Sequence, residues 1–317
     1  MNEILKLDSI DKACINALLE NPRGSWRELS IASDIPYKKL SRRISKLLDE
    51  KIIRVVIELN PLVVNKGLTV HVWLSIKLGK VKEMAQFFSE LPEVRVVFLT
   101  TGMADIFLEV GLEKTADLHP WMHSFVTQLP DIKTAETQIV LKPFTWASKI
   151  KKTSIHSSIV TQHLLSPDEL KLIHVLSQDG RISIKSLSEA IQMSEHKTLK
   201  TMNELLAKEV FSIRLDFEPS LLDYETEAII LIKARPESID EIVKALSEIR
   251  NTRCLFGISG ESQFFWHVLC DDLADLWYLT TEKLSQLSGI QSCNTNMITN
   301  AYKRAGYMRK GTQTHIL

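Results

Sequence analysis

The sequence predicts an α+β protein built as two tandem units, each a winged helix-turn-helix followed by a ferredoxin-like βαββαβ domain. Three observations predict it: one constant offset brings the two halves into register, each half opens with three short amphipathic helices, and each closes in a β-α-β-β-α-β rhythm. With 317 residues, the chain is too long for one ordinary domain.

The offset is 158 residues. It places Leu7 on Leu165, Arg23 on Arg181, Ser25 on Ser183, Leu29 on Leu187 and Leu47 on Leu205. Farther on, Pro61 falls on Pro219, Arg95 on Arg253, Gly102 on Gly260 and Ile132 on Ile290. Pro, Gly and Arg recur along with the common Leu and Ser, so the register marks a duplication with almost no net insertion.

Within the first copy, Ile10, Ala13, Cys14, Ala17 and Leu18 recur at helical spacing, and Asn21-Pro22-Arg23-Gly24 ends that helix. Ser25 is placed to cap a second helix, with Glu28 completing a capping box. A third helix starts near Pro36, with Leu40, Ile44, Leu47 and Leu48 in one stripe. The β-branched run IIRVVIEL reads as a strand, a β-wing, before Asn60-Pro61 turns the chain. From here the period changes. Leu68–Leu78 and Val94–Thr100 alternate as strands around a helix at Val81–Leu91, and another strand begins at Asp105. A helix over Ala116–Leu129 and a strand over Ile132–Leu141 complete the pattern. With both helices on one sheet face, the other face needs a cover, most simply a second such sheet. The predicted layout is a helical module at 1–60, an α/β domain at 66–144, and a Ser/Thr/Lys-rich linker at 145–162. A second helical module at 163–218, a second α/β domain at 224–302 and a basic tail at 303–317 follow.

Composition excludes several classes. Apolar residues are 44% and charged residues 25%, globular proportions, and no apolar run reaches the roughly 18 residues that span a membrane. The amino terminus lacks a secretory layout, and Cys14, Cys254, Cys270 and Cys293 are scattered, so the reading is a cytoplasmic protein with reduced thiols. His119 and His123 lie four apart on a helix but lack further ligands, so no metal or cofactor site and no catalytic constellation is expected. Lys+Arg and Asp+Glu both total 39, so any nucleic-acid contact must come from a local patch.

That patch is on the third helix. Lys38, Lys39, Arg42, Arg43 and Lys46 fall on one side, opposite the leucine stripe, as a helix entering the major groove requires. Tyr37, Ser41 and Arg54 join them as candidate DNA contacts. Over residues 21–54, nine basic and four acidic residues give +5; over 179–212, five of each give zero. Lys200, Thr201 and Glu204 stand where Arg42, Arg43 and Lys46 stand in the first copy. The second helical module is therefore expected to fold alike but to bind DNA weakly or not at all.

The chain resembles the Lrp/AsnC family of feast/famine transcriptional regulators. The resemblance rests on Leu7-Asp8-x-x-Asp11, the segment Leu40-Ser41-Arg42-Arg43-Ile44-Ser45-Lys46-Leu47 with its following strand, and the turn Thr101-Gly102-x-x-Asp105. It implies a transcriptional regulator, sheet-to-sheet dimerisation, and sensing of an amino acid or related small molecule between α/β domains; members usually carry one unit per chain, so the tandem form departs from the common pattern. By that resemblance Thr101, Gly102 and Asp105 border the effector pocket, where the carboxylate would hold an ammonium group; a plain hairpin turn is the other reading. In the second copy Gly260 and Gln263 replace them, with a neutral amide for the carboxylate. The expected partners are double-stranded DNA, a small-molecule effector and another copy of the chain, as a homodimer or dimer of dimers, with no membrane. Two alternatives stand beside this reading: a tetrapyrrole enzyme resembling sirohaem decarboxylases on the same fold, and an architectural DNA protein without an effector.

Overall fold

Side-chain caps fix where the opening helices begin. The Asp8 carboxylate accepts the Asp11 N–H at 2.8 Å, starting α1 (Ser9–Glu20). Ser25 Oγ accepts the Glu28 N–H at 3.2 Å while the Glu28 carboxylate accepts the Ser25 N–H at 2.7 Å, the capping box expected before α2 (Trp26–Ser33). Pro36 precedes α3 (Tyr37–Asp49). In this computed structural model, which describes residues 7–60, 68–145, 165–249, 251–310 and 313–315, the first copy continues through β1 (Arg54–Leu59), β2 (Leu68–Ile76) and α4 (Val81–Glu90). It ends with β3 (Val94–Thr100), β4 (Ile106–Leu112), α5 (Leu118–Met122) and β5 (Ile132–Thr145). The second copy runs α6 (Pro167–Gln178), α7 (Ile184–Ile191), α8 (Glu195–Ala207), β6 (Phe211–Asp216), β7 (Thr226–Ala234) and α9 (Ile239–Glu248). After these come β8 (Thr252–Ile258), β9 (Phe264–Cys270), α10 (Leu273–Tyr278), β10 (Ile290–Arg304), β11 (Tyr307–Lys310) and β12 (Gln313–His315). Most elements of the second copy begin 158 residues after their counterparts.

The chain divides into two compact units that do not follow the copy boundary. One gathers Met1–Asn60, Val160–Leu222 and Lys310–Ile316; the other gathers Pro61–Ile159, Asp223–Arg309 and Leu317. Like thus packs with like.

In the helical unit, Leu18, Leu29, Leu40, Ile44, Leu47 and Ile53 of the first copy share one buried cluster with Leu215, Phe217 and Leu221 of the second. The expected wing takes a different form. β1 pairs antiparallel with β6, from Arg54 opposite Asp216 to Leu59 opposite Phe211. A lone strand leaves its backbone groups unpaired, and here each copy's strand satisfies the other's.

In the α/β unit, both inner sheet faces meet as the uncovered sheets required. Trp73, Phe98, Phe107 and Val140 pack with Ile229, Leu231, Phe256 and Phe265, and the Phe107 and Phe265 rings stack 5.3 Å apart. The edges are joined too. Strand β5 runs beyond the expected Leu141 to Thr145, pairing first with β2 and then, from Val140, with β8. Strand β10 likewise pairs with β7 up to Met297 and with β3 from Ile298. The resulting order, β10-β3-β4-β2-β5-β8-β9-β7 and back to β10, closes a barrel with no free edge in that circuit. The helix expected over Ala116–Leu129 is broken: α5 gives way to a π-turn at His123–Thr127.

The predicted linker at 145–162 lies outside the described residues apart from Thr145. The predicted basic tail begins differently from expectation. Lys303 and Arg304 are buried at the end of β10 rather than solvated: Lys303 Nζ donates to Leu91 O at 2.9 Å, and Arg304 pairs with Glu227. Burial lowers the Lys303 amine to about 8. Among the described residues no helix is long and apolar enough to cross a membrane.

Candidate nucleic-acid interface and sensor turns

Helix α3 is positioned by its apolar stripe. Leu40, Ile44 and Leu47 are buried against α1 and α2, which turns Lys38, Lys39, Arg42 and Lys46 outward. Tyr37 at its first turn is 52% exposed, and Lys46 lies 3.8 Å from Glu50 one turn on. Ser41 is half-buried, and its hydroxyl approaches Lys38 O at 3.4 Å. Two further candidates are engaged inside the module. Arg43 bridges Asp8 at 2.9 Å and Asp11 at 3.0 Å, fastening α3 to the start of α1. The Asp11 N–H, followed by the charge of Arg43, holds the Asp8 carboxyl below its ordinary range despite partial desolvation. Arg54 donates to Gln178 O at 3.3 Å. The structure thus brings Tyr37, Lys38, Lys39, Arg42 and Lys46 onto one exposed face, and gives Arg43 a bracing position beside it.

The equivalent helix of the second copy presents different chemistry. Lys197 pairs with Asp168 at 3.0 Å, and Lys200 lies 3.9 Å from Glu204. Leu199, where the first copy has Ser41, is 43% exposed, and His196 stands in place of Lys38.

The two turns lie where each copy meets the other's long strand. Thr101 N–H donates to Met297 O at 2.9 Å, and Met103 N–H donates to Asn296 Oδ1 at 2.9 Å. Gly102 has φ +104°, and a Cβ there would lie 2.6 Å from Asn296 Oδ1, so this turn requires glycine twice over. In the second turn Ser259 exchanges hydrogen bonds with Ile139: its N–H donates to Ile139 O at 2.9 Å, and its hydroxyl accepts the Ile139 N–H at 2.8 Å. Gly260 has φ +108°, but a Cβ there would come no closer than 3.9 Å, to Gln138. One turn is therefore tightly packed and the other roomier.

Asp105 and Gln263 perform the same local task. Asp105 Oδ2 accepts the Ile76 N–H at 2.7 Å, and Gln263 Oε1 accepts the Ala234 N–H at 2.8 Å, each closing the end of its neighbouring strand. The sequence difference between carboxylate and amide leaves that bond intact.

Sequence reasoning missed what lies between the sheets. Arg304 grips Glu227 bidentately, Nη1–Oε1 at 2.6 Å and Nη2–Oε2 at 2.9 Å, while His267 Nε2 lies 2.7 Å from Glu227 Oε1. In the first copy Glu109 lies 3.6 Å from His71 and 3.4 Å from Arg95. Burial pushes the Glu227 carboxyl up, but Arg304 and His267 together outweigh it and hold the group well below the carboxylate range. Burial also pushes His267 down, so the folded barrel favours its neutral form. A histidine with a lowered folded pKa contributes stability above its unfolded value, about 6.5, that is lost as pH falls through the folded value. Thermal unfolding at pH 7.5 and pH 5 is therefore expected to show a lower midpoint in acid, with a smaller loss in His267→Gln. An equal loss in both proteins would remove His267 from the account.

Other groups are less active chemically. Burial raises the thiols of Cys14 to about 11 and Cys270 to about 12, well above neutrality. His123 is exposed and sits within 3.3 Å of Thr127 Oγ1 and 3.1 Å of Gln128 Nε2.

Paired helical modules, one with an outward basic helix, and paired α/β domains define a duplicated protein in which, within each unit, one copy completes the other. The chain belongs to the Lrp/AsnC family: the model of the Lrp/AsnC ligand-binding domain matches residues 69–150 and again 227–308. A relative in Pyrococcus horikoshii, the uncharacterised HTH-type transcriptional regulator PH0140, is 28% identical over 143 residues, 45% of this chain and 90% of that protein. The HTH-type transcriptional regulator FL11 of the same organism is 26% identical over 137 residues, 43% of this chain and 90% of that protein. Among solved structures, the sirohaem decarboxylase NirDL is similar across the whole fold, with TM-score 0.62 at 13% identity over 96% of this chain and 94% of that one.

Proposed function

We propose that the chain is a sequence-specific DNA-binding transcriptional regulator acting in the cytoplasm, with each copy a helix-turn-helix module, its following strand paired with that of the other copy, and then a ferredoxin-like domain. The observation that carries this reading is the exposed face of Tyr37, Lys38, Lys39, Arg42 and Lys46 on a helix whose other side is fully packed. Arginine suits bidentate contact with guanine edges and lysine suits phosphates. The names of PH0140 and FL11, each matched over 90% of its own length, support the same reading. Titration of a fluorescent duplex tests it: binding that weakens steeply as salt rises supports it, and no binding at about 50 mM salt refutes it.

The effector reading falls on Thr101, Gly102, Asp105, Gly260 and Gln263. Its support is placement, because both turns sit at seams where one copy meets the other, so a ligand there would bear on both copies. Since Asp105 also holds the Ile76 N–H, Asp105→Asn is the informative variant: it keeps an acceptor and removes the charge. If Asp105 holds an ammonium group, calorimetry with an amino-acid panel will show affinity lost by about tenfold or more in Asp105→Asn. Unchanged affinity would take Asp105 out of the effector site.

The second reading, a tetrapyrrole enzyme, draws on the full-length likeness of fold to NirDL. A Soret band in the purified protein, or sirohaem turnover, would favour it over regulation.

A further inference from the structure

The helical unit carries an internal quasi-twofold clasp. Arg23 donates to Gly180 O at 2.6 Å and to Ile182 O at 2.8 Å. Its counterpart Arg181 donates to Pro22 O and, at 2.8 Å, to Gly24 O, the positions equivalent to Gly180 and Ile182. Each arginine thus satisfies the carbonyls flanking the other. The β1–β6 ladder has the same symmetry, because Val56 pairs with Arg214, its own counterpart 158 residues on. Gly180 is required at this junction: its N–H donates to Val55 O at 3.0 Å, and a Cβ would lie 2.7 Å from that oxygen. Arg214 completes the join by pairing with Glu58 across the strands and with Asp216 at 3.2 Å on its own.

Two equivalent readers held this way would present a twofold surface to twofold DNA. Here the second reader is neutralised. Lys197 and Lys200 are drawn to Asp168 and Glu204, and Leu199 beside them is exposed. An acid or an exposed leucine at that site offers nothing to a phosphate. The surfaces that would pair two reading modules are already occupied inside a single chain.

We infer that one chain is the complete DNA-reading body and that its target is an asymmetric site: duplex DNA with one specific major-groove contact, made by α3, and no inverted repeat. This rests on the regulator reading and deepens it. The expected homodimer would be needed only for a palindromic site, which a single reader per chain could not cover alone. The second module contributes Leu215, Phe217 and Leu221 to the shared core and Arg181 to the clasp, whatever the outer face of α8 carries.

The test is selection of bound duplexes from a random-sequence pool by the full-length protein, followed by sedimentation of the complex on the enriched site. The expected result is one chain per duplex and a consensus without dyad symmetry, in which scrambling the sequence beyond one arm changes affinity by less than about threefold. An inverted-repeat consensus holding two chains, with a loss of about thirtyfold or more when either arm is scrambled, overturns the inference. The triple variant Lys38→Ala, Arg42→Ala, Lys46→Ala tests α3 as the reader. If an asymmetric site is enriched but the variant binds it as tightly as wild type, the assignment of α3 as reader fails, and the inference with it. If wild type enriches no sequence, the regulator reading itself is refuted.

Discussion

Replacing Lys38, Lys39, Arg42 and Lys46 on α3 with alanine should weaken duplex binding by about three orders of magnitude at 0.1 M salt. The estimate follows from counterion release: each phosphate contact contributes a slope of about 0.9 in log K against log salt, so each of the three lysines is worth nearly tenfold at about 0.1 M relative to 1 M salt. The fold should survive, because these side chains point outward and the core of α3 is Leu40, Ile44 and Leu47. An unchanged circular dichroism spectrum with lost binding is the expected pair of results. Arg43→Ala should behave in the opposite sense. Its guanidinium is held by Asp8 and Asp11, so its loss should lower the melting temperature and affect DNA affinity less than Arg42→Ala.

Replacing Glu227 with alanine should destabilise the α/β barrel by about 3–5 kcal/mol, because it strands the buried Arg304 without its carboxylate. Both side chains are about nine-tenths or more buried, at 10% and 5% exposure, so solvent cannot take the place of the lost partner. Glu227→Gln should cost less, since the amide oxygen still accepts a hydrogen bond. The double variant Glu227→Leu, Arg304→Met should recover most of the loss, as replacing a whole buried pair with apolar groups often does. Urea unfolding followed by near-ultraviolet circular dichroism measures all three. If the double variant is no more stable than Glu227→Ala, the cost lies in packing rather than in an uncompensated charge.

The parts of this fold that depend on local chemistry were legible in the sequence. The capping box at Ser25 and Glu28, the leucine stripe of α3 and the helix and strand rhythm all act within a few residues, and the constant offset carried them into the second copy. What the sequence did not disclose depends on partners far along the chain. The strand after α3 looked like a wing because nothing local says that it pairs with a strand of the other copy. Strand β5 was ended at Leu141, although its last residues find their ladder partner in β8. Arg43 shares the basic face on a helical wheel, but a wheel does not show that the acids at the start of α1 are within its reach. Lys303 and Arg304 read as part of a tail because charge near a terminus is usually solvated; their partners, Leu91 and Glu227, are far away in sequence. The loss of the carboxylate between Asp105 and Gln263 stood out in the sequence, yet both side chains make the same backbone bond.

On the proposed reading the first copy reads DNA and the second does not. The measurement that tests it most directly is the salt dependence of binding to one duplex for wild type, for Lys38→Ala/Arg42→Ala/Lys46→Ala and for Lys197→Ala/Lys200→Ala. The slope is expected to fall by about 1.8 in the first variant, for its two lysines on phosphates, and to stay at the wild-type value in the second. A slope that falls in the second variant and holds in the first would contradict it.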